Sequence, residues 1–222
     1  MRLVKTLSLV ACSGWSAIAQ AQASTLVSSQ AAPAVLPEPN QPRTERTWLQ
    51  YGAALSFEGR ARAGNICPDD ASVPCILGSG GGLTLRLGER SAHGTWFLGG
   101  AYEFTRHNAS NLLKLPILQQ ARFEARYHFV PEQQFSPYLI GAAGFAVYGP
   151  QWGVSTYGPV ASLGVGLEIE SSRGVFFGLA LAYRVMRLAA WKDRAGQERE
   201  AAFAHFIAFE VSVETRTPVA RW

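Results

Sequence analysis

From Thr47 onward the apolar residues of this chain recur at every second position, through segments of ten residues or more. Side chains on one face of a strand are spaced two apart, whereas a helix would need them three or four apart. The stretch ARFEARYHFV, residues 121–130, shows the pattern at its sharpest. Ala121, Phe123, Ala125, Tyr127 and Phe129 fall on one face, and Arg122, Glu124, Arg126 and His128 fall on the other. The alternation predicts eight strands, over about 47–58, 81–90, 95–106, 117–130, 136–149, 158–170, 174–188 and 201–215. Each exceeds the ~5–6 residues usual in globular sheets and reaches the ~9–11 that cross a bilayer at a tilt.

The connections alternate in length. Those around 91–94, 131–135 and 171–173 are short. Those around 59–80, 107–116, 150–157 and 189–200 are longer and hold the Gly-rich GSGGG. Short turns at one end and long loops at the other, with an even strand count, predict an all-β fold: a closed antiparallel up-and-down transmembrane β-barrel of eight strands. Closure leaves no unpaired backbone edge in lipid. No run of eighteen apolar residues occurs beyond the N-terminus, which excludes a helical span.

Composition decides which face looks outward. Only 16% of residues are charged, and Lys5, Lys114 and Lys192 are the only lysines. A water-facing barrel would need a more charged exterior. The second faces of strands five to seven carry Gly141, Ala143, Gly164, Gly166, Gly178, Ala180 and Ala182, which suit a narrow lumen where small side chains interleave with large ones. The parity of strand five stays open, because both its faces are Ala, Gly and aromatic. Aromatic residues near strand ends, including Trp48, Trp96, Phe129, Tyr138 and Tyr148, suggest interfacial girdles. The charged face of 121–130 therefore points inward, where it requires partners. The expected lumen network is Glu58, Arg86, Glu103, Arg122, Glu124, Arg126, Glu168, Glu170, Arg184 and Glu210, with Glu214 also inward. These carboxylates outnumber the arginines, so His128, hydroxyls or water must satisfy the surplus.

Residues 1–23 read as a signal peptide: Arg2 and Lys5, an apolar stretch, then Ala21-Gln22-Ala23. Leu9-Val10-Ala11-Cys12 resembles a lipobox and leaves lipoprotein processing at Cys12 as an alternative. Removing the signal takes two cations from a formal net charge of +4, and no Lys/Arg run suggests nucleic acid. Residues 24–46 hold four prolines without periodicity and read as a disordered periplasmic leader. The barrel is expected over 47–216 and a short tail over 217–222. Cys67 and Cys75, eight apart in an exported chain, read as a disulfide within a loop, two free thiols being the other reading.

With the eight-strand layout and the fifth strand PYLIGAAGFAVYG (137–149) in view, the chain resembles the bacterial outer-membrane β-barrel family of the OmpA transmembrane domain and the opacity proteins. The resemblance implies location in the outer membrane of a Gram-negative bacterium, contact with lipid and lipopolysaccharide, and insertion by the barrel-assembly machinery. It also implies a monomer.

Some barrels of this architecture modify lipid A, which would require a Ser and a His close together at a lipid-facing strand end. Here His107 and Ser110 are three apart and would point to opposite faces of an extended strand. The histidines His93, His107, His128 and His205 are scattered, so no metal site is expected, and no cofactor motif occurs. The expectation is a non-enzymatic barrel with a structural or surface-interaction role, its lumen plugged by Arg/Glu pairs. The alternatives are a narrow channel for ions or small hydrophobic molecules, and a lipid A-modifying enzyme.

Overall fold

The computed structural model describes residues 47–62, 77–108, 115–131, 133–192, 196 and 198–219. Cys12, Cys67, Cys75 and Ser110 lie outside them, as do the signal segment and the leader. The eight barrel strands are β1 (Thr47–Arg62), β2 (Gly80–Arg90), β3 (Trp96–His107), β4 (Pro116–His128), β5 (Phe135–Pro150), β6 (Thr156–Ser172), β7 (Val175–Leu188) and β10 (Ala202–Val219). Every neighbouring pair is antiparallel, and β10 closes on β1. The turns β2–β3, β4–β5 and β6–β7 lie at the same end as Thr47 and Val219 (the turn side), and the longer connections lie at the other (the loop side).

Three expectations shift. β10 runs to Val219 because Thr47 through Gln50 continue the pairing with Val219 through Arg216, so the wall extends three residues past 216. Pro218 falls one pair from the strand end, where a missing amide donor costs little. The last long connection holds a small hairpin, β8 (Trp191–Lys192) with β9 (Glu198–Arg199). Strand five also resolves its parity. Ser136, Tyr138, Ile140, Ala146 and Tyr148 are buried, while Leu139, Ala143 and Phe145 face out. Tyr138 and Tyr148 are therefore lumen residues and not part of a girdle, and Trp48 likewise has the inward parity of β1.

The exterior is apolar all round: Leu55, Leu87, Phe123, Leu163, Leu181 and Ile207 are each at least half exposed, Leu163 reaching 69%. The interior is where the charge sits, since Arg86, Glu103, Arg122, Glu124, Arg126 and Arg184 are each 5% exposed or less. This inverts the arrangement of a barrel that lives in water. Aromatic rings cover glycines on the inner wall. Tyr138 pairs across the sheet with Gly166, and a Cβ at Gly166 would occupy the place of the tyrosine ring. Gly166→Val should therefore cost about 1–3 kcal/mol through overpacking. Urea unfolding followed by heat-modifiable gel migration measures it, and adding Tyr138→Ala should cost less than the sum of the two single changes.

Candidate functional site

The alternation of β1, β2, β3, β4, β6, β7 and β10 points charged and amide side chains at a common axis, where they meet in three tiers. At the turn side, Glu168 is the hub. It accepts hydrogen bonds from Arg90 Nη1 at 2.9 Å, from Arg216, and from Gln50 Nε2 at 3.4 Å. The Gln50 carbonyl oxygen in turn accepts from Arg216 Nε at 2.9 Å and Arg90 Nη1 at 3.4 Å. His128 Nε2 lies 3.1 Å from Arg90 Nη1 and 3.6 Å from Glu168 Oε2.

The middle tier is built from Arg86, Arg126, Glu124, Glu210 and Glu214. Arg126 donates from Nη1 to both oxygens of Glu214, at 2.9 and 3.0 Å, and from Nη2 to Glu124 at 3.3 Å. Its guanidinium also lies over Phe97, 4.7 Å from the ring centre, so the cation meets apolar wall and carboxylate together. Arg86 donates to Glu124 at 3.0 Å and to Glu210, with Glu214 3.8 Å away. The third tier joins Arg122 to Glu103, and Arg184 to Glu58, to Glu103 at 3.0 Å and to Glu210 at 3.4 Å. Gln120 bridges the two arginine–glutamate sets, accepting from Arg122 at 3.0 Å and donating to Glu58 at 3.3 Å.

Beyond Glu58 the chemistry changes. His107 Nδ1 donates to the carbonyl of Gly78 at 2.7 Å, and its Nε2 lies 2.9 Å from Glu58 Oε2. The other side of the ring meets Phe206 edge-on at 5.5 Å. Phe206 belongs to an apolar cluster with Leu77, Leu118, Tyr148, Met186 and Leu188, against which Trp191 and Ala202 pack. The loop-side lumen is thus capped by hydrocarbon, and His107 is the joint between cap and ion pairs.

Nine of the ten expected lumen residues are buried and meet one another; so does Glu214. Glu170 has the inward parity but lies near the end of β6, where it is exposed at the turn-side mouth and lines a cavity there. Alternation alone did not bring Arg90, Arg216, Gln50, Gln120 and His107 into the set, although each lies on the inward parity of its strand. Arg90 follows Arg86 by two steps of two, and Arg216 follows Glu214 by one. With them the expected shortage of cations closes: six arginines face six glutamates. Arginine suits this role because its planar fork serves two carboxylates and keeps its charge. His107 is 2% exposed and faces inward, away from any lipid substrate. Among the described residues no group of three His, Cys, Asp or Glu is placed to hold a metal.

No protein-family model matches the sequence, and no curated protein matches it. Solved structures do. The outer membrane protein OprG from Pseudomonas aeruginosa is 10% identical, with a TM-score of 0.50 over 78% of this chain and 96% of that one. Neisserial surface protein A is 15% identical over 77% of this chain and 97% of that one, with a TM-score of 0.45. The outer membrane protein AlkL is 9% identical over 86% and 99%, with a TM-score of 0.47. At such identities the likeness is one of fold. The chain thus shares with OprG the fold of a closed antiparallel eight-stranded β-barrel, here with an ion-paired interior inside an apolar wall.

Proposed function

We propose that this is an outer-membrane barrel with a structural or surface-interaction role, its lumen closed to ions. The observation that carries this reading is the filling of the axis from the Glu168 tier to the Glu58 tier, followed by the apolar cap of Leu118, Met186, Leu188 and Phe206. An ion entering from the turn side would have to separate pairs buried in low dielectric and then cross hydrocarbon. Export, outer-membrane residence and insertion by the assembly machinery belong to the same reading. The outward-facing cations Arg106 and Arg187 lie near the loop-side ends of β3 and β7, where the phosphates of lipopolysaccharide would meet them. The double variant Arg106→Gln/Arg187→Gln should retain less lipopolysaccharide on purification, measured as bound phosphate per barrel.

The test is planar-bilayer recording of the mature protein. No unitary steps are expected in ~1 M KCl. A narrow ion path is the second reading, because Arg122 Nη2 lies 3.7 Å from both Glu124 and Glu210 and so has alternative partners at equal distance. Unitary current that changes in Arg122→Ala or Glu124→Ala would establish that path in place of the plug. A lipid A-modifying role has less support, His107 being turned inward. An altered lipid A mass profile in cells carrying the protein would revive it.

A further inference from the structure

The turn-side mouth carries a cavity of about 300 Å³ below the first tier, lined by Trp48, Arg90, His93, Gly94, Phe176 and Arg216, with Glu170 at its edge. Its network charge is not balanced within the tier, and Glu170 answers it only from the exposed rim. Arg90 and Arg216 share the single carboxylate of Glu168, while Arg126 is engaged by Glu214 and Glu124. The compensating excess of carboxylate lies deeper, where four arginines face five glutamates. Among the twelve network charges the mouth therefore has two arginines to one glutamate and the deeper tiers four to five, with Glu170 as the counter-charge at the rim.

One donor at this mouth has no role in the network. Arg90 is 1% exposed and uses Nε on the carbonyl of Gly94 at 2.8 Å and Nη1 on Glu168, Gln50 and His128. Its Nη2 has no hydrogen-bond partner among the described residues. A Cβ built at Gly94 would stand 3.8 Å from that Nη2, and Gly94, with φ at +70°, lines the cavity. The glycine leaves open the space in front of a buried guanidinium donor. Arg216 is held flat on Phe176, 3.4 Å from the ring centre, which keeps a second guanidinium at the same opening. A buried, unpartnered guanidinium donor at an open cavity, with a second, part-buried guanidinium beside it, is the chemistry that recognises phosphate oxygens.

We propose that this vestibule is a binding site for a small phosphate-class oxyanion, held by Arg90 and Arg216 and weakened by Glu170. The strand residues that line it, Trp48, Arg90, Glu170, Phe176 and Arg216, all have inward parity, so the opening is axial. The site is the outer face of the turn-side tier, since Arg90 and Arg216 also hold Glu168, and it is independent of whether the lumen conducts.

The test uses the full mature chain folded in zwitterionic micelles, titrated calorimetrically with inorganic phosphate and pyrophosphate at fixed ionic strength. Saturable one-site binding is expected. Glu170→Gln, which removes an exposed opposing charge and leaves the buried pairs intact, should tighten it about fivefold. Arg90→Gln should weaken it about tenfold or more. Titration with micelles containing phosphatidylglycerol separates sources: binding there without binding of the soluble phosphates would support the phosphate site and assign it to lipid headgroups. Heats no different from chloride at equal ionic strength for phosphate and pyrophosphate, together with no binding of phosphatidylglycerol, would overturn the proposal. So would an affinity that Glu170→Gln leaves unchanged, and that variant remains decisive if Arg90→Gln fails to fold.

Discussion

Arg86→Ala is expected to lower the unfolding free energy of the barrel by about 3–5 kcal/mol. Arg86 is 5% exposed and touches three carboxylates, Glu124 at 3.0 Å, Glu210, and Glu214 at 3.8 Å. Deleting the cation leaves those carboxylates buried with less compensation, and the cost of an unpaired buried charge exceeds what the pair contributes when intact. An exposed pair offers the contrast. Lys192 and Glu198, 3.0 Å apart on the β8–β9 hairpin, have side chains 69% and 77% exposed. Lys192→Ala should change stability by less than about 1 kcal/mol, since solvent screens such a pair. Urea titration of both variants in lipid vesicles, read by heat-modifiable migration, makes the comparison. Equal midpoints would remove the structural role assigned to the network.

The second large effect concerns the outer wall. Leu181, midway along β7 and 51% exposed, should cost about 2–4 kcal/mol when replaced by arginine in a bilayer, the depth-dependent cost for a cation on the lipid face of a barrel. On a wall facing water the same change would stay within about 0.5 kcal/mol. The size of the effect therefore reports what solvent surrounds the barrel. A near-neutral Leu181→Arg, or a mature protein that fractionates as soluble, would contradict membrane residence.

Much of this fold is legible in one dimension because period-two alternation ties each residue to a face. Phe123 faces out and Arg122 and Glu124 face in once the surrounding strands supply a closed wall, and nine of the expected inward charges are inside for that reason. Strand five was not legible, since Gly141 and Ala143 on one face and Ala142 and Gly144 on the other carry no hydrophobic contrast. The cross-strand pairing of Tyr138 with Gly166 decides it, because the ring needs the space above a residue that has no side chain. Glu170 was misplaced for the opposite reason. Its parity is right, but parity says nothing of height along the axis, and at the end of β6 the inward face opens to the mouth. The apolar cap was missed because Leu118, Met186 and Phe206 sit on inward faces read as polar further along the same strands.

Alternation, strand length, the rhythm of short and long connections and the scarcity of charge together pointed to an eight-stranded barrel with its charge inside, because closure pairs every backbone edge and so few charges could not cover a water-facing wall. They could not determine which arginine meets which glutamate. Arg184 pairs with Glu58 across 126 positions of sequence, and Arg90 with Glu168 across 78. Those partnerships depend on strand tilt and stagger, which set the height of each inward side chain, and on guanidiniums reaching across the lumen to strands that are not neighbours. The sharing of Glu168 by Arg90 and Arg216 at the turn side, and of Arg86 among Glu124, Glu210 and Glu214 at mid-height, exists only once those heights are set.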